Sequence, residues 1–358
     1  MSEKKVEPKK SDTKQVVKKA KTHLASMRYG NPGRKVRIII VTGEAGKTTT
    51  VRLIAELLRE ANFKVLEMVA ARDGKRTFET EPGLLHRELR EASRQSYDYV
   101  IIEAHESFLD GPILETIDVD TVVATTDNLQ LSEILKWPIH HAILPHGLDV
   151  PTGMEHHNVM TFGTDEASDM KIADIKIFRR GLEMTIVIDQ HTKIEIASYL
   201  VGTTNALNVA AALATAYVLG VDVSHFAEGV ARVEMVQGNY NYIDTSAPYT
   251  VVVDSGSLVS LENLIETSRQ LAKRRLLVSL ARDIADDQLI NLAKLADRIV
   301  TITDSALKEV DKVADHEEAA YIVLRGAKKD DLVVLIGPQY VESDEQGQTK
   351  AQKLVGHG

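Results

Sequence analysis

Val41-Thr42-Gly43-Glu44-Ala45-Gly46-Lys47-Thr48-Thr49-Thr50 is the stretch that decides the reading of this chain. It follows a largely β-branched apolar run, Val36–Val41, and leads into Thr48–Ala61, where Leu53, Ile54, Leu57 and Leu58 share a helical face. A strand, a glycine-bearing loop and a helix in that order make a phosphate cradle, because loop amides and the helix N-terminus point at phosphate oxygens. In such a cradle Lys47 neutralises the β/γ-phosphates and Thr48 offers its hydroxyl to Mg²⁺. Gly43, Glu44, Ala45, Gly46, Lys47, Thr48 and Thr49 are therefore the candidate phosphate contacts. The strict pattern wants a glycine five positions before Gly46, where Val41 stands; Gly43 makes this a shortened loop.

Outward from the loop, strand and helix patterns alternate. Lys64–Val69, Tyr97–Glu103 and Val119–Thr125 read as strands and Leu84–Ser93 as a helix, which implies a parallel α/β sheet. Pro138, Pro145 and Pro151 break up residues 127–165. Asn158–Phe162, Ile172–Phe178, Leu182–Ile188 and Lys193–Ala197 read as short strands, Thr204–Leu219 as an alanine-rich helix stopped by Gly220, and Val223–Ala231 as a further helix. A second α/β unit follows: strands at Val251–Asp254, Leu276–Leu280, Ile299–Ile302 and Leu332–Ile336, with helices at Leu258–Lys273, Asp287–Leu295 and His316–Leu324. Its pattern is that of a small doubly wound domain.

The 358 residues are 44% hydrophobic and 27% charged, which excludes a mainly disordered or collagen-like chain and leaves room for two cores. No run approaches a membrane span, and no apolar core follows the N-terminal lysines as in a secretory signal. With no cysteine there is no disulfide, thiolate metal site or cysteine nucleophile, which fits a reducing, cytoplasmic setting. Residues 1–35 carry a net +8 against −9 for the whole chain, leaving −17 for the rest. An acidic body argues against nucleic-acid binding as the main task. The polar start is expected to be disordered, and Lys14–Tyr29, with Val16, Val17, Ala20, Leu24 and Met27, to form a basic amphipathic helix. Such a helix docks on the protein's own body or touches a surface or partner.

Three further segments decide between shortened-loop families. Ile102-Glu103-Ala104-His105-Glu106-Ser107 ends the third strand, where a carboxylate can reach a metal beside the phosphates or simply face solvent. Gly202-Thr203-Thr204-Asn205-Ala206-Leu207-Asn208-Val209-Ala210-Ala211 puts two asparagines one turn apart, as a helix cap or as partners for a purine edge. Val251-Val252-Val253-Asp254, followed by Leu261-Glu262-Asn263-Leu264, opens the second unit. Together with the loop, these four segments resemble the Mur ligases over about 300 residues, closest to the UDP-N-acetylmuramoyl-tripeptide ligases. The alternative, the partition-type dimeric P-loop ATPases and GTPases, carries extra glycines or a leading lysine that this loop lacks.

The resemblance implies an ATP-dependent ligase that makes an amide through an acyl-phosphate, using ATP and Mg²⁺ on a cell-wall (peptidoglycan) precursor or analogous acid. It implies Lys47 and Glu103 as catalytic groups, Thr48, Glu103 and His105 at the metal, Asn205 and Asn208 by the adenine, and Asp254 near the nucleotide. It implies a central ATP-binding domain over residues 35–235 and a smaller C-terminal Rossmann-like domain over 236–346, flanked by a basic leader (1–34) and a flexible tail (347–358). The active site is expected in the cleft between the domains, with small-molecule acid and amine substrates and room for a partner protein.

Departures accompany the match. The basic leader stands where the family has a UDP-binding domain. Ser255-Gly256-Ser257 replaces a Tyr-Ala-His segment, and Gly238-Asn239-Tyr240-Asn241 replaces Gly-Arg-Met-Glu, without the arginine. Thr303-Asp304-Ser305-Ala306 stands in for the Asn-Pro-Arg signature, Ile336-Gly337-Pro338-Gln339 for Gly-Lys-Gly-His, and Ala281-Arg282-Asp283 keeps a trace of the Gly-x-x-x-Asp-Arg loop. Thr126-Asp127-Asn128-Leu129 and Lys136 are what remains of the segment bearing a carbamylated lysine. His140, His141, His146, His156 and His157 cluster without zinc spacing and read as exposed loop residues. Two other readings stay open: a diverged Mur-like nucleotide-binding or regulatory protein, and a P-loop ATPase switch.

Overall fold

The computed structural model describes residues 10–69, 81–109, 112–126, 134–135, 137–148, 158–234, 236, 238–256, 261–304, 307, 310–343 and 347–356. The chain forms two compact units, one of Met1–Ile172, Ile186–Ile194 and Leu207–Val230, the other of Ala173–Thr185, Glu195–Ala206 and Ala231–Gly358.

The first unit is organised around β1 (Arg37–Thr42), a buried strand between β3 (Tyr99–Glu103) and β4 (Val119–Ala124), both parallel to it. β2 (Val65–Met68) lies outside β3. β5 (His141–Pro145) and β6 (Asn158–Gly163) extend the sheet beyond β4, again in parallel. The full order is β2-β3-β1-β4-β5-β6-β7-β8-β9, with β7 (Met170–Phe178), β8 (Gly181–Ile188) and β9 (Thr192–Ser198). Links of two and three residues join the last three strands, too short for anything but antiparallel turns.

Both faces of the central strands are apolar, as a parallel sheet covered on two sides requires. Ile38 and Ile40 face one core with Val100, Ile102, Val122 and Leu144, closed by Leu85 and Leu89 of α3 (Pro82–Arg94). On α2 (Lys47–Glu60), Leu53, Ile54, Leu57 and Leu58 are fully buried, and the helix packs on β1, β2 and β3. α1 (Lys10–Arg28) starts earlier than the sequence suggests and lies on α3 and on the Leu114–Thr116 turn. Glu115 fixes it there, accepting Lys19 Nζ at 2.7 Å and His23 Nε2 at 2.9 Å.

The second unit carries a six-stranded sheet, β10-β11-β15-β12-β13-β14. Its strands are Asn241–Ile243, Thr250–Asp254, Leu332–Ile336, Leu276–Leu280, Arg298–Thr301 and Val310–Lys312 in that spatial order. All neighbours are parallel except β10 and β11. The short helices α4 (Glu106–Leu109) and α6 (Phe226–Ala231) and the long α5 (Thr203–Val218) precede this sheet in the chain. α7 (Leu261–Leu271) and α8 (Asp286–Leu295) cover one face, with Ile265 and Leu289 in its core. α9 (His316–Gly326), α10 (Pro338–Val341) and α11 (Lys350–Gly356) cover the other, with Ala320, Val323 and Tyr340 inside. Helices on both faces of a parallel sheet make this a doubly wound unit, as the alternating pattern implied.

Three strands escape the sequence reading. β5 is bounded by Pro138 and ends on Pro145, and β10 and β14 have three residues each, too short for a period. α11 is a helix where a loose tail was expected. Its composition is polar, yet Ala351 and Val355, one turn apart, are both buried in the core of this unit.

Candidate functional site

The phosphate loop leaves β1 at Thr42 and enters α2 at Lys47. Two glycines shape it, Gly43 at φ 126° and Gly46 at φ 81°, conformations that side-chain-bearing residues avoid. Both are also closely backed: a Cβ on Gly43 would strike the Thr125 hydroxyl, and one on Gly46 the Asn208 amide. Gly46 caps the helix, and its carbonyl accepts the first helical bond, from Thr50 N at 2.9 Å.

The polar groups of the loop are paired with one another. Lys47 folds back, and its Nζ donates to the Gly43 carbonyl at 2.6 Å. Thr48 Oγ1 donates to the Glu103 carboxylate, 3.0 Å from Oε1 and 2.9 Å from Oε2. These two residues lie far apart in sequence. The parallel register of β1 and β3, with Val41 opposite Glu103, brings both to one end of the sheet. Glu103 is 5% exposed, so its charge has little water to lean on and the hydroxyl is a necessary partner. His105, exposed, follows two residues later, and its carbonyl accepts Phe108 N at the start of α4.

Two residues that sequence reasoning missed brace the loop from β4. Thr125 Oγ1 donates to the Ala45 carbonyl at 2.5 Å and to the Thr42 carbonyl at 3.1 Å. Thr126 Oγ1 accepts Glu44 N at 2.8 Å. Their position at the carboxyl end of the strand beside β1 is the signal that could have found them, since ligands in open α/β sheets bind there.

A carboxylate and a hydroxyl side by side are what a protein offers Mg²⁺, which draws its remaining oxygens from phosphates and water. Thr48 and Glu103 fit that donor set, and the glycine-shaped loop beside them fits a phosphate chain. Among the described residues no group of three His, Cys, Asp or Glu could hold a metal by itself. Of the histidine cluster, His140 is exposed, His141 is half-buried and His146 stands 3.5 Å from Asp165. Burial pushes the His141 imidazole below its usual range, with His140 and Arg37 adding to the effect against Asp120. His156, His157, Lys136, Asp127, Asn128 and Leu129 lie outside the described residues, as do Ser257, Ser305 and Ala306.

Asn205 and Asn208, one turn apart on α5, have different neighbours. Asn208, 3% exposed, backs Gly46 in the first unit. Asn205, 2% exposed, belongs to the second unit and exchanges bonds with Asn239: Asn239 Nδ2 donates to Asn205 Oδ1 at 3.0 Å, and Asn205 Nδ2 to Asn239 Oδ1 at 3.4 Å. Asn205 Nδ2 also reaches the Val201 carbonyl at 2.7 Å.

Asp254 ends β11 and is a tie for its own surroundings. Its Oδ2 accepts Tyr240 N at 2.8 Å and its Oδ1 accepts Gly256 N at 2.7 Å. Ser255 Oγ donates to the Gly238 carbonyl at 2.8 Å, so the Gly238–Asn241 segment is stitched to the strand end from both sides. Arg282, after β12, has its Nε buried with no hydrogen-bond partner among the described residues. Asp304 pairs with Lys312.

Comparison with known proteins agrees with this arrangement. Residues 41–130, from the loop past Glu103 and Thr126, match the model of the Mur ligase middle domain. The UDP-N-acetylmuramoyl-L-alanyl-D-glutamate–2,6-diaminopimelate ligase of Syntrophomonas wolfei is 28% identical over 378 aligned positions, covering 88% of this chain and 75% of that protein. Among solved structures, the MurF ligase of Thermotoga maritima in complex with ADP superposes with a TM-score of 0.69 at 17% identity, over 94% of this chain and 81% of that one. Folylpolyglutamate synthetase from Lactobacillus casei gives 0.66 at 16% identity, over 91% and 96%. At such identities the structural matches speak for the fold. The sequence matches make this chain similar to the Mur ligases over most of its length, with the loop and Glu103 inside the segment that matches their middle domain, and the structural matches give it their fold.

Proposed function

We propose that the protein is an ATP-dependent carboxylate–amine ligase. A carboxylate of the acceptor attacks the γ-phosphate of ATP, and an amine captures the acyl-phosphate to give an amide, ADP and phosphate. The observation that carries this reading is the Thr48–Glu103 pair at the mouth of a glycine-shaped loop that also holds Lys47.

In this mechanism the chain mostly positions and neutralises. The loop amides from Gly43 to Thr49 hold the phosphate chain. Lys47 exchanges the Gly43 carbonyl for phosphate oxygens and offsets the charge that builds on the transferred group. Thr48 and Glu103, with His105 beside them, would hold a Mg²⁺ ion, whose charge would offset that of the phosphates. Asn208 supports the loop at Gly46 and, with Asn205, attends the adenine, while Asp254 serves the nucleotide from the second sheet. On this reading residues 35–235 make the ATP-binding domain and 236–346 the C-terminal domain. The acid is a cell-wall precursor or an analogue of one.

A specific observation supports a second reading, in which the chain binds nucleotide without ligation. Asn239 stands where the family has an arginine and is bonded to Asn205, and both Asp254 oxygens accept backbone amides. One experiment separates the two: ATP turnover with Mg²⁺, with and without pooled UDP-muramoyl peptides, glutamate-type acids and amino acids, beside Lys47→Ala. Acceptor-dependent ADP release, with a product heavier by an amine less water, establishes the ligase. Nucleotide binding with no acceptor-dependent turnover establishes the second reading.

A further inference from the structure

α1 docks on the first unit with the wrong face outward. Its inner side is polar: Thr22 and Ser26 are buried, and Lys19 and His23 close on Glu115. Its outer side holds the large apolar residues: Val17, Leu24 and Met27 are 46%, 64% and 68% exposed. Ala20, between them, is exposed as well. At 3.6 residues per turn, positions 17, 20, 24 and 27 fall in one stripe along the helix. Exposed Lys21 and Arg28 border that stripe on one side, with exposed Lys18 next to them. The segment from Thr13 to Arg28 contains no acidic residue.

A helix on a globular body normally buries its apolar stripe and shows water its polar side. The inversion here calls for something to cover the stripe, and the charge pattern says what. The covering surface must be apolar along a line and negative beside it. A second copy of α1 would set the same cations against Lys21 and Arg28. A transmembrane role is excluded for α1, since among the described residues no helix is long and apolar enough to cross a membrane. We propose that α1 is a surface-binding helix that lies flat on an anionic phospholipid bilayer. Val17, Leu24 and Met27 enter the headgroup–acyl boundary, and Lys18, Lys21 and Arg28 reach lipid phosphates. The body of the chain, at −17 beyond residue 35, is repelled by such a bilayer. Adhesion therefore has to come from a local face acting within a Debye length, about 8 Å at physiological salt.

The net charge makes the test sharp, because a chain at −9 has no general attraction for anionic vesicles. The full chain is sedimented with phosphatidylcholine vesicles, and with vesicles in which about a third of the lipid is phosphatidylglycerol. The expected result is sedimentation with the anionic vesicles alone, reversed by about 0.5 M salt. Leu24→Asp with Met27→Asp, and separately Lys21→Glu with Arg28→Glu, are each expected to lower partitioning at least about tenfold. These side chains are exposed, so thermal unfolding should not change. Because the chain has no cysteine, Leu24→Cys can carry a polarity-sensitive dye, expected to shift to the blue on anionic vesicles only. No binding to anionic vesicles overturns the proposal, and so does binding that both double variants retain. A concentration-dependent dimer that Leu24→Asp abolishes also overturns it, assigning the stripe to a second copy of the chain.

Discussion

At the carboxyl ends of β1 and β3, Thr48 and Glu103 hold each other through their side chains, and Lys47 holds the Gly43 carbonyl. At the carboxyl end of β11, Asp254 holds two backbone amides, one from its own turn and one from the Gly238–Asn241 segment. Both places are strand ends of a parallel sheet, where α/β folds put their ligands. The difference lies in what a ligand would displace. In the first case it exchanges one side-chain partner for another and the backbone keeps its shape. In the second it would strip acceptors from buried amides and loosen the turn. The same topological position thus carries exchangeable side-chain contacts in one unit and backbone ties in the other.

The largest expected effect tests the first half of that contrast. Lys47→Ala should weaken ATP binding about 1,000-fold, about 4 kcal/mol, by titration calorimetry, with the melting temperature unchanged. Equal affinity in the variant would break the comparison outright.

Acid should then separate the two units. His86, on α3, is fully buried with its Nε2 against Thr116 Oγ1, and burial, with His23 nearby, lowers its pKa from 6.5 to about 4. Between those values the unfolded chain binds a proton that the folded chain refuses, so stability falls as pH drops through the window, by about 3 kcal/mol at its lower end. In the second unit, burial raises the Asp331 pKa, but bonds from Arg275 and from the Lys328 and Arg275 amides outweigh it and leave the carboxyl below its usual range. Its contribution is present above the unfolded value and lost only as pH falls through the lower, folded one, below about pH 4. Urea titrations from pH 7 to pH 3 should show the earlier loss shrink in His86→Gln, leaving the part that the depressed His141 contributes, and the later one shrink in Asp331→Asn. An unchanged pH profile in His86→Gln would refute the assignment.

The second half of the contrast is tested by Asp254→Ala. It leaves two amides without acceptors and should cost about 2 kcal/mol, read as a lower denaturant midpoint. Loss of nucleotide affinity with unaltered stability would keep Asp254 as a nucleotide contact and remove its role as a tie for the turn. Smallest is Thr125→Val, which removes the donor to the Ala45 and Thr42 carbonyls and should cost about 1 kcal/mol. A loop that binds ATP as well without Thr125 would not need its brace.

The sequence is legible where a function depends on neighbours in the chain. The strand, loop and helix around Gly43 and Gly46 lie in one run, and both sheets follow from alternating apolar segments. Glu103 is legible because it ends a strand on a motif. Thr125 and Thr126 are not, since their partners at Ala45 and Glu44 lie across the sheet and leave no spacing behind. Asn239 is hidden in the same way: only the fold shows that it meets Asn205. β5 is masked by its prolines, and α11 has only Ala351 and Val355 to announce a buried side. The inverted face of α1 is invisible to periodicity altogether, because a stripe has the same spacing whether it points in or out.

The bond from Lys47 to the Gly43 carbonyl also sets an entry threshold. One ammonium donor is already given to a peptide oxygen, so at that donor an incoming anion gains only the difference between itself and the carbonyl. A singly charged anion offers little over that carbonyl, whereas a polyphosphate offers several oxygens and charges at once. The loop's own backbone is the competitor that every ligand must outbid, and that contest favours a phosphate chain over a single inorganic anion.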